Sequence, residues 1–253
     1  IDALSLHINQ FAPLLSEMGS QPIILEDAYE IYREAAQELL SNQGHPSIKS
    51  VLKVLSLHLD NRSEYLSELL ILMLQKREQW LVHIVANKND PQALRQYLEA
   101  SLRHVVTEEL QRLKASFPRE LISTLIPLAQ QAAKNLLDVD PDNPLCKLTE
   151  ISSTTPFNIE HRHLWSTLTD LLLTQSHSWR KSVTIKQGFK PKSAEKEAFK
   201  QCLSALENNP ALLHSLQHLR LCPPHCYTDA QWNIILALLQ LLPLLVANLR
   251  ISM

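Results

Sequence analysis

The chain has 253 residues, 45% of them hydrophobic and 20% charged, with a formal net charge of −2. This excludes a disordered chain, and it excludes polyanion binding by bulk charge, so any nucleic-acid surface must be a local patch. Three glycines against fourteen prolines argue against glycine-dependent hairpins and nucleotide loops, and predict helices joined by proline turns.

Taken in order, Leu4, Ile8 and Phe11 recur at helical spacing within Ile1–Gln10, and Pro13, Gly19 and Pro22 mark a loop. The apolar run Ile23-Ile24-Leu25 reads as a single strand or an extended linker. Acidic Glu26-Asp27 opens a helix, with its charge at the end that the helix dipole favours; the helix runs to about Ser41 and stops at Asn42-Gln43-Gly44. Ser47–Asp60 carries Val51, Leu52, Leu55 and Leu59 on one face. Asn61-Arg-Ser-Glu64 reads as a capping box starting a long helix to about Asn87. Asp90-Pro91 pairs an N-cap with proline at the first helical position, opening a helix to about Lys114. Ser116 and Pro118 start another, ending near Leu137.

The stretch 141–159 holds Pro141, Pro144 and Pro156 without periodicity and reads as a loop between two helical subdomains, 26–140 and 160–253. In the second, Glu160–Thr174 is helical. Ser193–Glu207 follows, Asn209-Pro210 caps a helix to about Leu219, and Pro223-Pro224 breaks it. Thr228-Asp-Ala-Gln231 is a second capping box, opening a strongly apolar helix. The expected fold is all-α: an irregular domain of about ten helices with one basic excursion.

That excursion is Leu171–Lys192. No acid falls between Asp170 and Glu195, whereas Arg180, Lys181, Lys186, Lys190 and Lys192 all do. It carries the β-branched run Val183-Thr184-Ile185 and one of the glycines, Gly188, followed by Phe189. A basic, irregular, aromatic-containing segment suits a polyanion; a solvated surface loop has the same charge pattern. Trp179, beside Arg180 and Lys181, stacks on a base or packs inward as the loop's anchor, and Phe189 carries the same two readings.

Ala230–Leu249 is charge-free and close to bilayer-spanning length. Asn233, Gln240 and Asn248 recur on one face and Pro243 interrupts it, so the reading is a buried or docking helix, with no membrane as partner. Cys146, Cys202, Cys222 and Cys226 have no framework spacing and are expected to be reduced, in a cytoplasmic protein. Cys222-Pro-Pro-His225-Cys226, with His214 and His218 upstream, is the best zinc candidate, but its two prolines are stiff and no second cysteine pair supports it. Neither G-x-x-x-x-G-K-[ST] nor H-E-x-x-H occurs, and no catalytic set emerges. The chain begins at Ile1 inside an apolar-periodic segment and ends just after an apolar helix, which reads as a piece of something larger.

Four stretches, in order, resemble one family. Ile1-Asp-Ala-Leu4 is similar to the tail of the T-I-D-[AS]-L segment of superfamily 1 DNA helicases of the UvrD/RecB/AddA type. Leu57-His-Leu-Asp-Asn61 with Leu72-Met-Leu-Gln-Lys-Arg-Glu-Gln-Trp80 resembles the LLxHLDN…LLxxMLxRRDQWL region. Leu172–Lys181 with Gly188-Phe-Lys-Pro191 resembles LLTxxGxWRKxxxxxxGFP. Tyr227-Thr-Asp-Ala-Gln-Trp232, followed by Leu238–Leu249, resembles YxDxQWxxLxALLxLLPLAxAxL. The family's Walker A and Walker B elements are absent from these residues, and Gln175-Ser-His-Ser178 replaces its glycine-containing turn.

The resemblance implies the internal 1B-type helical region of an ATP-dependent DNA helicase or helicase–nuclease, with 1–25 trailing from its core. The parent would use ATP and magnesium, and this region would need no cofactor and would partner DNA and the remaining core domains. Trp179, Arg180, Lys181, Lys186, Lys190 and Lys192 would then form the DNA contact. The alternative is an interaction scaffold docking through the Trp232–Leu249 helix.

Overall fold

A computed structural model describes residues 28–41, 46–86 and 90–252. The fold is all-α, with no β-strand among the described residues beyond one isolated bridge. The expected Ile1–Gln10 helix, the Ile23–Leu25 run and the Asn42–Gly44 stop lie outside those residues. Two compact units divide the chain, one of residues 1–94 with 229–253, the other of 95–228. The expected division at 141–159 is therefore not where the units part, because that stretch lies inside the second.

In the first unit, α1 (Tyr29–Ser41), α2 (Pro46–His58), α3 (Ser63–Gln75) and α4 (Arg77–Ala86) accompany α10 (Asp229–Ser252). Ala237, Leu241, Leu242, Leu245 and Leu249 make one helical stripe on α10 and bury it with Ala35, Leu39, Leu52, Leu55, Leu66 and Leu70. By length and composition α10 is able to cross a membrane over Asp229–Leu249, with a mean hydropathy of 1.9, while that stripe belongs to the unit's own core.

Asn61 does not cap the next helix. Asp60 and Asn61 adopt φ of 52° and 60°, the left-handed conformation that Asp and Asn tolerate at helix ends, and Asn61 N–H donates to the Ser56 carbonyl at 2.7 Å. α3 starts after Arg62, which gives no side-chain cap. Nor does one helix run to Asn87. It breaks at Lys76, where Trp80 Nε1 donates to the Met73 carbonyl (2.8 Å) and Arg77 Nη1 to that of Leu74 (3.3 Å). Side chains from the next turn thus satisfy the carbonyls that a helix end leaves free.

The second unit contains α5 (Pro91–Ser116) from Arg95 onward, α6 (Arg119–Leu137), α7 (Arg162–Leu172), α8 (Ala194–Glu207) and α9 (Pro210–Leu221). Asp90 Oδ1 accepts from the backbone N–H of Gln92 and Ala93, Ser193 Oγ from that of Lys196, and Asn209 Oδ1 from that of Leu212. These N-caps fix three helix starts where the sequence places them. The 141–159 stretch is ordered by burial. A 3₁₀ turn over Pro144–Thr149 buries Cys146 and Leu148, and Trp165 of α7 donates to the Pro156 carbonyl at 2.9 Å while stacking on Phe157.

Candidate nucleic-acid interface

The basic excursion lies wholly in the second unit. α7 stops at Leu172, and Leu173 forms an isolated antiparallel bridge with Trp179. Thr174 N–H donates to Ser178 O (2.8 Å) and Arg180 N–H to Leu172 O (2.9 Å). The turn between them carries three hydroxyls, Thr174, Ser176 and Ser178, within hydrogen-bonding distance of one another. Its positive-φ residue is His177, at 57°. Side chains of α9 hold the turn: Gln217 Nε2 donates to His177 O (2.8 Å) and Arg220 Nη1 to Thr174 O (2.5 Å), while Arg220 also pairs with Asp170 at 3.0 Å.

Arg180 faces the end of α7. Its Nε donates to Leu171 O at 3.1 Å, and its Nη2 to Asp170 O at 3.2 Å and Leu173 O at 2.9 Å. A planar guanidinium thereby caps carbonyls that the helix leaves without partners, at the end whose dipole favours a cation. Burial, and then Arg220 beside it, lowers the guanidinium pKa below the ordinary arginine value, with Asp170 acting in the opposite sense. The group assigned in the sequence to a phosphate is spent on the protein's own backbone.

Trp179 is 8% exposed and Phe189 2%, so neither ring offers a face to a base. Phe189 meets Phe199 of α8 with centroids 4.6 Å apart. Together with fully buried Val183 these side chains anchor the excursion from beneath, each contributing about 1.5–3 kcal/mol of burial. Between them Thr184 closes a capping box with Gln187 around the 3₁₀ turn Ile185–Gln187. Gly188 leaves that turn at φ 82°, and Asn135 Nδ2 donates to its carbonyl at 2.8 Å.

Above this apolar underside stand Lys181, Lys186, Lys190 and Lys192, all exposed. None forms an ion pair or side-chain hydrogen bond with another described residue, whereas Lys200 pairs with Glu197 and Arg95 with Glu99 along their own helices. The carboxyl of Glu195 is held below its ordinary range by its own backbone hydrogen bond first, then by Ser193, and to a smaller degree by Lys190. The excursion is thus an ordered loop presenting four ammonium groups that form no ion pair among the described residues, with Trp179 and Arg180 belonging to its support.

One feature has no counterpart in the sequence reading. A cleft of about 520 Å³ lies between Trp179–Lys181 and α8, whose Glu197, Lys200, Gln201, Ser204 and Glu207 line it. Their spacing puts them on one helical face, and the period is visible in the sequence, although solvated helix faces share it. The zinc candidate does not assemble: among the described residues no three His, Cys, Asp or Glu side chains are grouped as metal ligands. The His214 and His218 rings pack on each other at 3.9 Å, and the Cys222 carbonyl accepts from Arg162 at 2.7 Å. No protein-family model, no curated protein and no solved structure matches the chain.

Proposed function

We propose that this chain is a DNA-contacting accessory region, of the 1B type, belonging to an ATP-dependent DNA helicase of the UvrD/RecB kind. Lys181, Lys186, Lys190 and Lys192 meet phosphates and hold the nucleic acid without reading its sequence. The observation that carries this reading is the set of four exposed lysines without ion partners among the described residues, on a loop held by a buried underside. Trp179 and Arg180 act through the loop's shape.

Backbone geometry supports the family resemblance at two positions. The pattern LLTxxGxWRK places glycine where this chain has His177, and His177 holds φ 57°, a conformation that suits glycine. The glycine of GFP falls on Gly188, where φ is 82°. On this reading ATP and magnesium would be used by the parent enzyme's core domains, as the family resemblance implies. The reading as a scaffold docking through α10 has less to draw on, because the Ala237–Leu249 stripe is occupied within its own unit.

Fluorescence anisotropy with labelled duplex and single-stranded oligonucleotides tests the proposal. The wild-type chain should bind both weakly, and the Lys186→Ala/Lys190→Ala variant should bind several-fold more weakly at low salt. Equal affinities for the two proteins would remove the loop from the interface.

A further inference from the structure

We infer that the cleft between Trp179–Lys181 and α8 is a docking site for an extended polypeptide segment of mixed charge, which pairs with the free backbone edge at Trp179. Of the four lysines in the DNA reading only Lys181 lines the cleft, so the two readings share that one residue. Lys186, Lys190 and Lys192 do not line the cleft.

The first observation is an unfinished ladder. The bonds Thr174 N–H to Ser178 O and Arg180 N–H to Leu172 O flank the Leu173–Trp179 bridge. In that pattern the N–H and C=O of Trp179 point away from Leu173. Neither has a hydrogen-bond partner among the described residues, and the same holds for the backbone of Lys181. The indole Nε1 of Trp179, fully buried, also lacks a partner. An unpaired strand edge is a template for another strand.

The second observation is the opposite wall. The α8 face from Glu197 to Glu207 spans about 15 Å at the helical rise of 1.5 Å per residue. At about 3.3 Å per extended residue, that length takes four or five residues of a strand.

The lining carries both signs of charge, which suits a segment of mixed charge. Lys181 and Glu207, both lining the cleft, have no ion partner among the described residues. Besides Arg180, Lys181 and Lys200 the lining holds Glu197, paired with Lys200, and Glu207, which would repel a phosphate backbone. An extended segment with an acidic residue against Lys181 and a basic one against Glu207 satisfies both groups. Its main chain meets the Trp179 edge, and Gln201 and Ser204 offer side-chain hydrogen bonds. Such strand addition takes affinity from backbone pairing and specificity from the flanking side chains.

The test uses an array of random seven-residue peptides probed with the wild-type chain and with Ser204→Trp, which fills the cleft from an exposed helix position. The proposal expects peptides with separated acidic and basic residues to bind wild type and lose at least about tenfold in affinity to Ser204→Trp. N-methylation of the strand-facing amides should cause a similar loss. The double reversal Lys181→Glu/Glu207→Lys should exchange preference to charge-swapped peptides, and a bound peptide should slow hydrogen exchange at the Trp179 amide. Binding unaffected by Ser204→Trp, or no peptide binder in the array, overturns the proposal. So does protection of the Trp179 amide by a single-stranded oligonucleotide but by no peptide. Loss of DNA binding in Lys186→Ala/Lys190→Ala with peptide binding intact bears only on the DNA reading.

Discussion

Gly188 lies against the backbone of Ala132: a Cβ at position 188 would meet the Ala132 carbonyl oxygen at 2.0 Å. The neighbour is the main chain of α6, which cannot give way as a side-chain end does. The residue also sits at φ 82°, where a side chain is strained whatever the space. Gly188→Ala should therefore cost about 2–4 kcal/mol in denaturant unfolding. Loss of less than about 1 kcal/mol would show that the loop does not sit on α6 as described.

His177 presents the opposite case. It holds φ 57°, which costs an L-residue about 1–2 kcal/mol relative to glycine. Its Nδ1 is buried without a hydrogen-bond partner, and the bond from Gln217 goes to its backbone carbonyl. Removing the ring sacrifices no side-chain hydrogen bond through that atom. His177→Gly should raise stability by roughly 0.5–1 kcal/mol once the greater freedom of unfolded glycine is subtracted. A destabilised variant would assign the imidazole a packing role larger than the backbone strain.

These two positions show what was legible in the sequence. Gly188-Phe189 was readable as a special point in the chain, and Asp90, Ser193 and Asn209 were readable as caps, because local chemistry decides them. Contacts that spacing does not encode decided the rest, several of them only a few residues apart. Asn61 looked like a cap and instead ends α2 in the left-handed region. The single helix expected to reach Asn87 breaks where Trp80 and Arg77 reach back. Trp179 and Arg180 were readable as unusual, but an exposure of only 8% at Trp179 and the bonds of Arg180 to three carbonyls are not encoded in spacing. The lysines were readable from charge alone, and the cleft beside them was hidden because a polar stripe on α8 looks like any solvated face.

Arg180→Lys separates support from contact. Lysine keeps the charge but cannot reach three carbonyls with a planar fork, so unfolding should become easier by about 2–3 kcal/mol. Under conditions where the variant is folded, the salt dependence of DNA binding should match wild type. A folded, fully stable variant with weakened DNA binding would return Arg180 to the phosphate-contacting set.

The loop at His225 predicts a pH dependence. Burial first, then Arg162 and Arg103, lowers the imidazole pKa below its ordinary value, with Glu160 opposing. The unfolded chain takes up the proton more readily, so stability from this group is present above about pH 6.5, the unfolded value, and declines as pH falls through it toward the folded value. Unfolding curves across that range should flatten in His225→Gln. An unchanged slope would assign the acid sensitivity to other groups.

The most direct measurement of the central claim is the slope of log K against log salt for duplex DNA. It compares wild type with a variant in which Lys181, Lys186, Lys190 and Lys192 are all alanine. Each phosphate neutralised contributes about −0.9 to the slope. If the four lysines are the contact, the variant's slope is shallower by about three to four and its affinity at low salt falls steeply. A variant with the wild-type slope and affinity, or a wild-type chain that binds no DNA at low salt, would contradict the account.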